Sequence, residues 1–147
     1  SLEIHPVDFT NDPYLASKND KLITINATLQ IDLLGQCGSE SLGPVPYSGT
    51  GGQSDFVRAA NRSRDGKAFI VLPSTAKGDS ITRIVPTLTP GTHMSTSKND
   101  INYVVTEFGV AQLRGKSVQQ RCAALIAIAH PNFRAELREA AKKMKLL

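Results

Sequence analysis

The stretch of this chain best suited to chemistry is Tyr47-Ser48-Gly49-Thr50-Gly51-Gly52-Gln53-Ser54-Asp55-Phe56, where three glycines fall within four positions. Glycine tolerates positive φ and lets a backbone approach a ligand closely, because no Cβ stands in the way. Ser54 or Asp55 can cap a helix over 54–62, with Phe56, Val57 and Ala60 on its inner face. The first turn of such a helix offers free N–H groups and a positive dipole end, suited to a phosphate, a carboxylate or a developing oxyanion. The stretch matches neither the G-x-x-x-x-G-K-[ST] phosphate loop nor the G-x-G-x-x-G dinucleotide fingerprint. A glycine-rich turn between two elements is its other reading.

The remaining reactive side chains are scattered. His5, His93 and His130 lie too far apart in sequence to suggest a metal site, so no metal is expected. His130 precedes Pro131 and reads as the junction of two helices, ending one and capping the next. Cys37 and Cys122 form no C-x-x-C and read as free thiols of a reducing cytoplasm, Cys122 within a core stripe. Glu107 follows a strand and reads as a carboxylate held by an ion pair or hydrogen bond. Asp32 reads as an arginine partner, and Glu40 as a loop residue with no assigned role.

Positioning the loop requires alternating strands and helices. From Ile23 to Leu33 apolar and polar residues alternate (Ile23, Ile25, Ala27, Leu29, Ile31 and Leu33 against Thr24, Asn26, Thr28, Gln30 and Asp32), a period of 2 with one buried face. The run is long for one strand, and a bend or hairpin near Asn26 would shorten it. Gly35 and Gly38 end it. After the helix at 54–62 and an Asp65-Gly66 turn, Lys67 to Leu72 reads as a buried strand closed by Pro73. Ile81, Ile84 and Val85 suggest another strand, and residues 101–106 a further one. Ser117 with Gln120 forms a capping box ahead of the stripe Val118, Cys122, Leu125, Ile126 and Ala129. Pro131 opens a last helix with Phe133, Leu137, Ala140, Ala141 and Met144 inward. Near the start, Asn11-Asp12-Pro13 suits the opening of a short helix. The fold expected is α/β, a three-layer-like mixed sheet with flanking helices and a C-terminal helical pair.

Composition bounds the function classes. The 147 residues suffice for one domain with a core, 40% of them are hydrophobic and 20% charged, and no run of 18 apolar residues suggests a membrane span. No signal-peptide pattern is visible at the start, so a cytoplasmic location is expected. The net charge of +4 owes much to Arg134, Arg138, Lys142, Lys143 and Lys145, which suit a solvated helix face. No basic stripe with aromatic partners appears, so neither nucleic acid nor membrane is an expected partner. A mild positive balance suits an anionic small ligand.

Six ordered segments carry a resemblance. They are I-N-A-T-L-Q-I-D-L-L-G-Q at 25–36, S-G-T-G-G-Q-S-D-F at 48–56, L-P-S-T-A at 72–76, I-V-P at 84–86, Y-V-V-T-E-F-G-V-A-Q-L-R-G-K at 103–116 and A-L-I-A-I-A-H-P-N-F-R at 124–134. Together they resemble the C-terminal domain of the acetyl-CoA hydrolase/transferase family, which includes 4-hydroxybutyrate CoA-transferase and related class I CoA-transferases. The resemblance spans nearly all of 1–147 and implies a single NagB/RpiA-like C-terminal domain. It implies transfer of coenzyme A from an acyl-CoA to a small carboxylate such as acetate or 4-hydroxybutyrate. A glutamate carboxylate attacks the thioester and forms first an anhydride, then a glutamyl-CoA thioester. In the family that glutamate lies upstream of the matching segment, and none of Glu3, Glu40 or Glu107 occupies its position.

The resemblance places Gly49–Gln53 at the CoA thioester, with the Gly52 N–H as oxyanion donor, Gly49 and Gly51 as CoA-binding positions, and Ser48 and Gln53 flanking the loop and lining the acyl or pantetheine channel. Lys77 matches a CoA-contacting position; a solvated surface lysine is its other reading. Asn11 matches an asparagine near the carboxylate substrate, and a helix cap before Pro13 is its other reading. Coenzyme A is thus expected as a substrate. The alternatives are an acetyl-CoA hydrolase, or a non-catalytic module that binds a nucleotide or partner. One half of a two-domain enzyme also carries an interface, commonly about 600–1,500 Å², so homo-oligomerisation is expected.

Overall fold

The structure, a computed structural model, describes residues 2–147. Two single-turn helices open it, α1 (Val7–Thr10) and α2 (Pro13–Ala16), followed by strands β1 (Ile23–Ala27), β2 (Gln30–Asp32), β3 (Cys37–Gly38), β4 (Ser41–Leu42) and β5 (Val45–Pro46). Helix α3 (Gln53–Arg62) leads to β6 (Lys67–Val71), β7 (Thr75–Ala76), β8 (Ile81–Thr82), β9 (Ile84–Val85), β10 (Tyr103–Thr106) and β11 (Gly109–Gln112). Helices α4 (Val118–Ala127) and α5 (Pro131–Lys143) close the chain. This is a mixed α/β architecture with the C-terminal helical pair that the sequence suggests.

The main sheet has the order β1-β6-β10-β11, with β1, β6 and β10 parallel and β11 antiparallel. Its inner face carries Ala68, Ile70, Val104 and Ala111, all buried against Val57 and Ala60 of α3 and Cys122, Leu125 and Ile126 of α4. A smaller sheet, β3-β2-β9, adds Ile31, Cys37 and Ile84 to the same core. Pro131 begins α5, and His130 caps it by accepting from the Asn132 N–H at 3.3 Å. The capping box of α4 is present in both directions, Gln120 N–H to Ser117 Oγ at 3.2 Å and Ser117 N–H to Gln120 Oε1 at 2.9 Å.

The alternating run from Ile23 to Leu33 is two strands in two sheets. The chain turns at Thr28, whose hydroxyl donates to the carbonyls of Gln30 and Gly38 at 3.0 and 2.9 Å. Beyond the turn both parities are buried, Ile31 and Leu33 together with Gln30 and Asp32, so the single buried face expected there is not found. Before it the parity is reversed: Ile23 and Ile25 are 60% and 68% exposed while Thr24 is buried. The register aligns Ile25 with Phe69, Phe69 with Tyr103, and Val105 with Val110, so the outer sheet face is also apolar. Parallel strands are ordinarily covered on both faces and apolar on both. Periodicity alone therefore identifies the strand but not its buried side. Among the described residues helices cover one face only.

Four local expectations change. The strand expected through Ile81–Val85 is divided into β8 and β9, and β11 follows Glu107 where no strand was expected. Asp32 is buried, but its carboxylate accepts from the N–H groups of Leu34 and Gln36 (3.0 and 2.8 Å) and from Gln36 Nε2 (2.7 Å) rather than from an arginine. Arg121 instead donates to the carbonyls of Leu34, Lys98 and Leu113. Val118 lies at the start of the α4 stripe and is exposed, whereas Cys122, Leu125, Ile126 and Ala129 are buried.

Candidate functional site

The glycine loop borders a cavity of about 460 Å³ beyond the carboxyl end of β1. Ligands of open parallel sheets bind at this edge, where loops meet strand ends. Ser48, Gly49, Gly51, Gly52 and Gln53 all line the cavity, joined by Asn26 at the end of β1.

Helix α3 begins at Gln53 with Gly52 as its N-cap, and no side chain caps it. Ser54 and Asp55, the expected caps, are already inside the first turn. The Ser54 hydroxyl donates to the Ser95 carbonyl and lies 3.3 Å from Thr96 Oγ1. Gln53 Nε2 donates to Thr96 Oγ1 at 3.0 Å, so its carboxamide N–H is engaged within the fold. These bonds tie the helix start to the buried Thr96. Sequence reasoning missed Asn26, Ser39, Glu40 and Ser95 as lining residues. Asn26 alone left a signal, a polar residue near the end of an apolar parallel strand.

The loop glycines are not used for positive φ. None of Gly49, Gly51 and Gly52 has it, and Gly52 sits at φ −82°. Gly52 is required for space: a Cβ built there would stand 2.5 Å from Asn11 Nδ2 and 3.1–3.2 Å from the Phe56 ring. Around Gly49 and Gly51 nothing lies within 4 Å of such a Cβ, so those two face open room.

Asn11 thus comes to the glycine loop from the other end of the sequence. It does not cap α2. Asp12 does, accepting from the N–H groups of Tyr14 and Leu15 at 2.6 and 3.2 Å. Asn11 closes α1, its Oδ1 accepting from Thr10 Oγ1 at 3.1 Å. Among the described hydrogen bonds none uses Asn11 Nδ2 or the Gly52 N–H. Two N–H donors of different origin are therefore close together at the head of a ten-residue helix. Chemically they suit an oxygen that gains negative charge.

Lys77 is exposed and lines a different cleft, of about 430 Å³, together with Tyr47 and Arg83. Glu107 follows the carboxyl end of β10 and lines a separate cleft that shares Ala27 with the glycine-loop cavity. Its carboxylate accepts from Ser74 Oγ at 2.5 Å and from the Ser74 N–H at 3.0 and 3.2 Å. Desolvation raises its pKa, but hydrogen bonds from the Ser74 hydroxyl and the Glu107 and Ser74 N–H groups, with the nearby His130, outweigh it. The carboxyl is held below its ordinary value. The hydrogen-bonded reading of Glu107 holds. Cys37 and Cys122 are free and buried, and desolvation pushes both thiols up. Among the described residues no group of three His, Cys, Asp or Glu could hold a metal ion, and no helix is long and apolar enough to cross a membrane.

Comparison with known proteins gives the context. Residues 1–141 match the family described as acetyl-CoA hydrolase/transferase C-terminal domain. The chain is 61% identical over 143 residues to a succinyl-CoA:cyclohexane-1-carboxylate CoA transferase of Geobacter metallireducens, covering 97% of this chain and 33% of that protein. It is 49% identical over 142 residues to a 4-hydroxybutyrate coenzyme A transferase of Clostridium kluyveri, again covering 97% and 33%. Among solved structures, RipA from Yersinia pestis superposes with a TM-score of 0.90 at 47% identity, covering 97% of this chain and 32% of that one. The chain therefore spans about a third of the length of the curated relatives it matches. The match over 1–141, with these identities, shows that the chain belongs to the acetyl-CoA hydrolase/transferase family, in the region of its C-terminal domain.

Proposed function

We propose that this chain is the CoA-handling part of a CoA-transferase, moving coenzyme A between an acyl-CoA and a small carboxylate such as acetate or 4-hydroxybutyrate. The observation that carries this reading is the meeting of Asn11 Nδ2 with Gly52, both donors unclaimed among the described hydrogen bonds, at the rim of the glycine-loop cavity. Relatives at 61% and 49% identity are named as CoA-transferases, which supports the substrate class.

In this reading a glutamate outside residues 1–147 attacks the thioester carbonyl carbon. As the C–O bond forms, charge collects on the carbonyl oxygen. The Gly52 N–H and Asn11 Nδ2 donate to that oxygen, each worth roughly 2.7–4 kcal/mol of barrier by analogy with other oxyanion donors. The tetrahedral adduct expels the CoA thiolate and leaves an acyl-glutamyl anhydride. The thiolate then attacks the glutamyl carbonyl, expels the carboxylate and gives a glutamyl-CoA thioester. Gly49 and Gly51 leave room for the pantetheine arm, Ser48 lines it, and Gln53 serves mainly to fix the loop on Thr96. Lys77 meets a CoA phosphate as a point charge. The domain completes the NagB/RpiA-like layering of a larger cytoplasmic, oligomeric enzyme.

A hydrolase would use the same donors with water as acceptor. The chain is 35% identical over 119 residues to an acetyl-CoA hydrolase of Schizosaccharomyces pombe, which keeps that second reading open to the same test. Calorimetric titration of the chain with CoA, alongside Gly52→Val, tests the site. Saturable binding that the valine abolishes is the expected result. Binding that the valine leaves unchanged would overturn the placement of CoA on this loop.

A further inference from the structure

A concentration of positive charge lies at the other end of α3 from the glycine loop. Arg58, Asn61 and Arg62 from the second half of that helix, Asp100 from the loop before β10 and Arg114 from the loop after β11 line a cleft of about 440 Å³. A second cleft of about 300 Å³ adjoins it, with Asn99 and Arg114 common to both, and adds Lys98, Lys116 and Arg121. The joined lining holds six cations and one carboxylate, a surplus larger than the net +4 of the whole chain. A concave surface lined by one sign of charge focuses the field and gathers counter-ions.

The framework of the first cleft is fixed. Arg58 Nε donates to Asp100 Oδ2 at 3.0 Å, and Asn61 Nδ2 donates to the Asp100 carbonyl at 2.5 Å, so the one carboxylate of the lining is already paired. Arg121 is likewise committed, to the carbonyls of Leu34, Leu113 and Lys98. The other polar groups are not. Among the described residues the side chains of Arg62, Lys98 and Lys116 have no hydrogen bond or salt bridge, and Arg114 reaches only the Asn61 carbonyl, at 3.5 Å. Asn61 Oδ1 is buried and also without a partner. Buried polar atoms are ordinarily hydrogen-bonded, so the polar pairing of this cleft is incomplete within the chain.

The donor set selects the ligand. A carboxylate carries two oxygens and one charge, and a single guanidinium satisfies both oxygens. Two guanidinia with donors to spare, in one lining with the Asn99 carboxamide, exceed that need and match the three oxygens and near-double charge of a phosphoryl group. Lys98 and Lys116 stand as point charges in the adjoining cleft and match a second phosphoryl group. We propose that the joined clefts are a binding site for a small polyphosphate, with Arg62 and Arg114 on one phosphoryl group and Lys98 and Lys116 on the next. The clefts share no lining residue with the glycine-loop cavity or the Lys77 cleft. The polyphosphate therefore binds alongside CoA and is not part of it.

Calorimetric titration of the chain with pyrophosphate, and separately with inorganic phosphate, tests the site. Arg62→Gln and Arg114→Gln probe the first cleft and Lys98→Gln the second. A chain carrying both Lys142→Gln and Lys143→Gln on the basic tail controls for diffuse charge. All five side chains are exposed, and circular dichroism checks that each variant is folded. The expected result is saturable binding of pyrophosphate, about tenfold or more tighter than that of phosphate. Each arginine substitution should weaken it about tenfold and Lys98→Gln about threefold, while the tail variant and saturating CoA leave it unchanged. Absence of saturable binding by the wild-type chain, an equal loss in the tail variant, or displacement of pyrophosphate by CoA would each overturn the site. Phosphate binding as tightly as pyrophosphate would overturn its assignment to a polyphosphate.

Discussion

Gly52 shows how a residue's role differs from the reason its type suggests. A cluster of glycines points first to positive φ, yet the loop holds none, and the space taken by Asn11 and Phe56 accounts for Gly52. The loop was legible from three glycines in four positions. Its pairing with Asn11 was not legible from pattern, because only the folded chain brings two distant segments together; the family resemblance pointed to each residue separately. A Cβ at Gly52 would meet the free end of Asn11 first and the Phe56 ring next, so Gly52→Ala should displace Asn11, press the ring aside by a few tenths of an ångström and cost about 1–2 kcal/mol by urea denaturation. Its CoA affinity should fall far more than its stability.

Glu107 gives a second prediction at this scale. Its carboxyl is held down in the folded state, chiefly by Ser74 against the opposing effect of desolvation. A depressed carboxyl contributes stability that is present above its unfolded pKa and lost as pH falls through the folded value. Stability measured across the acid range should therefore decline less steeply in Glu107→Gln than in the parent chain. At neutral pH, Glu107→Ala strips the buried Ser74 of its acceptor, at a cost of about 1–3 kcal/mol. An acid limb unchanged by Glu107→Gln would show that the Ser74 contact has no energetic role.

At the scale of elements, local signals were readable wherever local chemistry decides. The Ser117–Gln120 capping box and Pro131 mark the two C-terminal helices, and both helices begin there. Ser117→Ala should lower stability by about 1 kcal/mol in thermal or urea unfolding. The Ile23–Leu33 run was readable as strand but not as two strands, because the turn at Thr28 depends on the carbonyl of Gly38 in another strand. The inner face of β1 was misjudged for a related reason: a strand apolar on one parity gives no sign of which side the helices cover. Cys122 followed its helical stripe into the core, and Cys37 is buried in β3. Both thiols should resist a water-soluble disulfide reagent in native buffer and react promptly in denaturant; rapid native labelling would contradict their burial.

For the whole molecule, the outer face of the main sheet is the feature that most needs a cover. Ile23, Ile25 and Val110 stand open there beside the stacked Phe69–Tyr103 pair, whose ring centroids are 5.1 Å apart. The curated relatives are about three times as long as the chain, which covers a third of each. The chain by itself should bind a hydrophobic dye and self-associate in sedimentation velocity, and Ile25→Lys should reduce both. A monodisperse monomer at high concentration would count against this.

The central claim, that Asn11 and Gly52 jointly receive the charged oxygen of a CoA thioester, meets its most direct test in residue-resolved NMR. The ¹⁵N-labelled chain would be titrated with acetyl-CoA while amide resonances are followed. The backbone N–H signals of Gly51, Gly52 and Gln53 and the side-chain amide of Asn11 should shift together and saturably. Saturable shifts elsewhere in the chain, with these four unmoved, would contradict it.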